Sequence, residues 1–234
     1  MSQPAAASGR LERFRAALGE SPQLLWSFLY FFCLLSGYYV LRPVRDAMGA
    51  SSDVAAVFPP VLIGFFAERG IPLKELVLQV LSTCTFLLIL LAQPLYGALV
   101  SRFPRRVFLP ALFGFFITCL LGFYILFHSD IAGRGMVFFL WVTVFNVFSV
   151  SVFWAFMADV FSSTDARKYY GYIGAAGTIG AFTGPIITRT LAEQVGLANL
   201  MLVSAGFLAV CMLCILRLRR WAVQREVSLG RDNE

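Results

Sequence analysis

The chain has 234 residues, 59% hydrophobic and only 14% charged, with 24 Phe and a formal net charge of +6. Soluble domains are usually about 25% charged, whereas six stretches of 19 to 23 residues here carry no charge at all. A soluble fold is thereby excluded, and so is a transmembrane barrel, whose strands are about 10 residues long and alternate apolar with polar.

The charge-free stretches are 22–41, 76–98, 108–127, 136–158, 169–188 and 198–216. A helix of about 20 apolar residues crosses a hydrocarbon core of about 30 Å, so each stretch is long enough to span. The expectation is an all-α membrane protein with six transmembrane helices filling 22–216. Residues 1–21 are polar and Ala/Ser-rich at the start and do not read as a cleavable signal. Leu11, Phe14 and Leu18 recur among Arg10, Arg13 and Arg15, which suits either a short amphipathic surface helix or a solvated tail.

The first span begins near Pro22, ends near Leu41, and carries Trp26, Tyr30, Tyr38 and Tyr39, residue types that favour the membrane–water interface. A long outer loop, 42–75, follows. Its apolar piece, 54–67, contains Pro59-Pro60 and is too short to cross, so it reads as a surface-lying or re-entrant element. The second span ends with Gln93-Pro94 and Gly97. The fourth holds Thr143, Asn146, Ser149 and Ser151 between Trp141 and Trp154, and runs up to Asp159. The fifth is rich in glycine: Gly171, Gly174, Gly177, Gly180 and Gly184. At 100° per residue the last four share one side with Ala181, which suits close backbone packing in lipid. Pro185 is expected to end or bend that helix.

The basic residues divide unevenly among the connections. With six crossings, 13 Lys and Arg fall on the side of the two termini and six on the other. The positive-inside bias therefore places 1–21 and the basic tail 217–234 in the cytoplasm. The basic residues form no single patch, so no nucleic-acid partner is implied. All five cysteines lie inside apolar stretches, where they read as small apolar fillers. With His128 as the single histidine, no metal pattern appears and no cofactor is implied.

Four constellations are candidates for function. Arg42, Arg45 and Asp46 stand at the end of the first span, either gripping an anionic solute through guanidinium forks or anchoring the helix at the interface. Gly97, Ser101, Arg102, Arg105 and Arg106 form a tight basic turn, either a gating latch against a neighbouring bundle or a plain positive-inside loop. Asn146 is a cavity amide or helix glue. Asp159, with Asp165, Arg167 and Lys168, is an inner-face ion-pair set or solvated loop charge.

The run Gly97-x-x-x-Ser101-Arg102-x-Pro104-Arg105-Arg106 resembles the loop between helices two and three of the major facilitator superfamily. That loop reads Gly-x-x-x-Asp-Arg-x-Gly-Arg/Lys-Arg/Lys, so this chain carries Ser101 in place of Asp and Pro104 in place of Gly. Gly171, Gly180, Gly184 and Pro185 match part of that family's fifth-helix glycine motif, whose further glycine pair is replaced by Thr188 and Arg189. Within the superfamily, Tyr39-Val-Leu-Arg-Pro-Val-Arg-Asp46, Phe153-Trp-Ala-Phe-Met-Ala-Asp159 and Ala166-Arg-Lys-Tyr-Tyr-Gly171 resemble the ATP/ADP translocase group of plastids and intracellular bacteria. The resemblance spans roughly 22–190.

It implies the N-terminal-type, six-helix half bundle of a transporter in a bacterial inner membrane. The cargo would be a small, nucleotide-like or organic anion, moved by alternating access rather than transformed by an enzyme. Such a half would face a second six-helix half or a second copy of itself, because halves of this kind are related by an axis along the membrane normal. The competing expectation is a non-transporting membrane scaffold, assembly or sensor protein.

Overall fold

The computed structural model describes residues 21–102, 105–129 and 131–231. Among them, α1 (Pro22–Gly49), α4 (Val77–Arg102), α5 (Arg105–His128), α6 (Arg134–Val160), α7 (Ser163–Val195) and α8 (Asn199–Arg231) are long. Between α1 and α4 lie the short helices α2 (Val54–Val57) and α3 (Pro60–Ala67) and a 3-10 turn, Leu73–Glu75. No strand occurs among the described residues. Five of the six long helices are apolar and long enough to cross a membrane. The sixth, α7, is less apolar, because its sequence is rich in glycine, threonine and tyrosine.

The helices overrun the charge-free stretches. α1 does not stop at Leu41 but continues through Pro43 to Gly49, so the Arg42–Asp46 turn is helical rather than loop. At about 1.5 Å per residue its 28 residues extend to about 42 Å, well beyond a hydrocarbon core. α7 likewise does not end at Pro185 but runs on to Val195. α4 passes through Pro94 to Arg102 and α5 starts at Arg105. The expected ten-residue basic turn is therefore mostly helix, with only 103 and 104 outside the described residues.

α1 is the central helix. It packs against α7 and α8 and, less extensively, against α6, while α5 lies on α8 and α4 on α6. Its core is aromatic. Tyr30 meets Phe113 and Phe153 edge-on at 5.6 and 4.8 Å, and Phe31 stacks on Phe153 at 4.4 Å. Offset and edge contacts of this kind are the favoured ring geometries.

Close approach of α7 to α1 depends on three glycines. A Cβ on Gly180 would lie 2.6 Å from the Phe32 carbonyl oxygen, and one on Gly184 would lie 2.8 Å from the carbonyl carbon of Tyr39. At Gly177 it would run into Phe31 and Leu35. In lipid, where apolar burial gives helices no preference for one another, such backbone contact supplies the association energy.

Residues 50–76 cap one end of the bundle. Pro59-Pro60 divides the apolar piece into α2 and α3, since a proline is tolerated at a helix start and disfavours helix in the residue before it. Val57 and Phe58 then pack with Leu73, Val77, Leu81 and Phe139, joining the cap to the first turns of α4 and α6. Gly133 has φ 83° and its N–H bonds to the Ala55 carbonyl at 3.2 Å. A side chain there would meet Pro59 at 3.0 Å. The element is thus joined to α4 and α6 through Val57 and Phe58, while α3 fully buries none of its residues. The opposite, basic end carries Arg102 at the end of α4, the start of α5 at Arg105, and the segments 160–168 and 217–231.

Candidate functional site

Between Tyr30 and Arg42, the residues of α1 that are not fully buried are Phe32, Leu35, Tyr39 and Arg42. Their spacing of three, four and three puts them on one helical stripe, and Asp46 continues it one turn further. Phe32, Leu35 and Tyr39 are half-buried beside α7, whereas Arg42 and Asp46 are exposed. The stripe therefore ends in exposed charge.

The charged turn is internally organised. Arg45 donates from Nε and Nη2 to Asp46 Oδ1 at 3.0 and 2.6 Å, and from Nη1 to the Tyr38 hydroxyl at 3.4 Å. Its guanidinium also lies 5.5 Å from the centre of the Phe139 ring on α6, within range of a cation–π attraction. Arg42 reaches the same carboxylate from the other side, Nε to Oδ2 at 3.6 Å, and sits 5.5 Å over Tyr39. The two arginines differ in exposure, at 16% for the Arg45 side chain against 47% for Arg42. Arg45 is held in place on three sides, whereas Arg42 is held loosely.

Asn146 does not join this cluster. It is half-buried on α6, and its amide has no hydrogen bond among the described residues. Seven residues separate it from Phe139, which puts it about 10 Å deeper along the helix than Arg45. Its neighbour Ser149 is buried with an unpartnered hydroxyl.

At the basic end, Gly97 and Arg102 lie on exposed parts of α4, and nothing comes within 4 Å of a Cβ on Gly97. Ser101, Arg105 and Arg106 are in helical turns, but their side chains lie outside the described residues, as do Phe103 and Pro104. Asp165 is committed locally. Ser162 Oγ donates to its Oδ2 at 2.7 Å and accepts from its backbone N–H at 3.1 Å, capping α7. Arg167 and Lys168 are exposed on the first turns of α7, Lys168 lying 5.1 Å from the Tyr169 ring, and Asp159 is half-buried near the end of α6.

The glycines of α7 separate into two groups. Gly177, Gly180 and Gly184 meet α1, whereas Gly171 and Gly174 have nothing within 4 Å of a Cβ. Pro185, next to the buried Gly184, is exposed.

Phe139 and Ser204 carry no mark in the sequence, and Tyr38 and Thr188 stand out there only as an interfacial aromatic and as a departure from the glycine motif. Thr188 Oγ1 donates to the Val40 carbonyl at 2.9 Å, and Ser204 Oγ to the Gly37 carbonyl at 3.0 Å.

No curated protein and no solved structure matches the chain. The family model of the Major Facilitator Superfamily matches residues 68–231, which runs from the end of the cap through α8. The α1 cluster precedes the matched stretch, and the packed helices α4 to α8 carry it. More than two thirds of the sequence is covered, and the helical bundle is of the same type, so the chain belongs to the major facilitator superfamily of membrane transporters.

Proposed function

We propose that this chain forms an N-terminal-type half of a transporter for a small anionic solute, a nucleotide or an organic acid, moved by alternating access. The observation that carries the reading is the end of the partly covered stripe of α1, where Arg42 and Asp46 are exposed with Arg45 fixed behind them. A planar guanidinium binds carboxylate or phosphate through two parallel hydrogen bonds, and one presented on an otherwise enclosed helix is placed to meet a solute rather than a neighbour. The likeness of residues 39–46, 153–159 and 166–171 to the ATP/ADP translocase group supports the nucleotide-like end of that range.

In this reading Asn146 contributes a cavity amide deeper in the bundle. The turn at Gly97–Arg106, with Asp159, Arg167 and Lys168, forms the gate at the basic end, and that end faces the cytoplasm of a bacterial cell. The α1 stripe faces a second six-helix half or a second copy of the chain.

The test is uptake into proteoliposomes, using a panel of labelled nucleotides and organic anions. Arg42→Ala should cut uptake of the transported anion at least tenfold with the protein still correctly inserted, and Arg42→Lys should recover only part of it because it lacks the fork. Uptake unchanged by Arg42→Ala would overturn the reading.

A further inference from the structure

We infer that Asp46 is a built-in competitor for the solute: a carboxylate that occupies Arg42 when the site is empty and is displaced from it by an incoming anion. The inference rests on reading α1 as the anion-binding helix and adds a residue that sets affinity and selectivity.

Asp46 makes two unequal contacts. With Arg45 it has two hydrogen bonds, at 2.6 and 3.0 Å. With Arg42 it has one long approach of 3.6 Å between side chains that are each about half exposed, 47% and 50%. Exposed pairs of that kind are weak, because water and salt screen them and two side chains must be ordered to make them. The Arg42 contact is therefore the one that yields.

Displacement leaves nothing stranded. Asp46 keeps both bonds to Arg45, and Arg45 keeps Tyr38 and Phe139. Arg42 is then free to turn its fork to the ligand, still beside the Tyr39 ring. The cluster of two arginines and one aspartate carries a net charge of +1. An incoming anion is attracted by the arginines and repelled by Asp46, and both effects grow with its charge. Asp46 thus lowers affinity for every anion, and most for polyanions, whether carboxylate or phosphate.

The experiment is equilibrium binding of pyrophosphate and of citrate to the full chain purified in detergent, at fixed ionic strength. Asp46→Asn keeps the size of the side chain and one acceptor for Arg45. It should tighten binding of at least one probe about fivefold, equivalent to about 1 kcal/mol, and acetate should gain less than either polyanion. The gain should vanish in Asp46→Asn/Arg42→Ala. The melting temperature of each variant in detergent identifies any that has simply lost its fold, and Asp46→Ser then replaces Asp46→Asn.

Wild-type binding that depends on Arg42 but is not tightened by Asp46→Asn would overturn this inference and leave the anion reading standing. A gain that survives loss of Arg42 would also overturn it, because the displaced partner would not be Arg42. If neither pyrophosphate nor citrate binds the wild type or Asp46→Asn, the anion reading falls and this inference with it. The probe that gains more separates phosphate from carboxylate as the natural chemistry.

Discussion

The Thr188 hydroxyl on α7 donates to the backbone carbonyl of Val40 on α1 at 2.9 Å, three residues before Pro43. Pro43 has no N–H for the Tyr39 carbonyl, and its ring crowds that carbonyl. In a membrane, side-chain hydroxyls of neighbouring helices stabilise such weakened turns, because water is absent. The α1 helix can therefore continue through Pro43 and carry Arg42, Arg45 and Asp46 as one ordered turn. Thr188→Val should destabilise the protein by about 1 kcal/mol, the usual worth of such a bond. In a Pro43→Ala background the same change should cost less. Unfolding in detergent for the four proteins of that cycle measures the coupling, and simple additivity would show that Thr188 acts independently of the proline.

The glycines of α7 make a contrast within one helix. A methyl at Gly180 or Gly184 is forced against α1 backbone, so Gly180→Ala and Gly184→Ala should each lose about 1–3 kcal/mol to overpacking. Gly171→Ala and Gly174→Ala meet open space and should be neutral or gain up to about 1 kcal/mol from helix propensity. Thermal unfolding in one detergent compares all four. Equal losses at the two pairs would mean that α7 does not lie on α1 as described.

Much of this architecture is visible in the residues, for a physical reason. Lipid requires long uncharged stretches, so the positions of the helices can be read from charge alone. Their ends cannot, because leaving the hydrocarbon core does not oblige a helix to stop. α1 gains two turns beyond Leu41, and α4 absorbs Gly97 and Arg102. The close α1–α7 contact is legible in Gly180 and Gly184, but Gly171 obeys the same composition and touches nothing. Arg42 and Arg45 look equivalent in sequence. What separates them is the rotation of α1 relative to Phe139 and Tyr38, a tertiary fact that no local pattern encodes.

Buried hydroxyls should divide in the same way. Ser204 satisfies the Gly37 carbonyl across the α1–α8 contact, whereas the buried Ser149 hydroxyl has no partner among the described residues. Ser204→Ala should cost about 1 kcal/mol, while Ser149→Ala should be neutral or stabilising, since it removes an unsatisfied polar group. Unfolding midpoints in detergent decide between them. A large loss at Ser149 would reveal a hydrogen bond made in the membrane, through water or a partner surface.

Orientation follows from the distribution of Lys and Arg, 13 on the side of the termini and six on the other. In a cysteine-free background, a cysteine at 228 should be protected from an impermeant thiol reagent on intact cells and one at 52 labelled. The reverse pattern would place the cap in the cytoplasm, and with it the α1 cluster at the inner face.

The facing surface of the α1 stripe is the remaining expectation. Lipid can cover Phe32 and Leu35, but it gives no hydrogen bonds to Tyr39 or to the charged turn beyond it. A protein surface does, and two arrangements supply one: a second six-helix half, or a parallel pair of identical chains placed around one cavity. Parallel pairing is compatible with topology, because the same charge bias orients every copy alike. A cysteine at 47, exposed beside Asp46, in a cysteine-free background should therefore cross-link, either to a second copy or to a separate chain of similar type. In reconstitution at low protein-to-lipid ratio the isolated monomer should give no saturable uptake, while the cross-linked pair or the reassembled halves should. Saturable uptake by the monomer would show that the stripe faces lipid during transport and needs no partner.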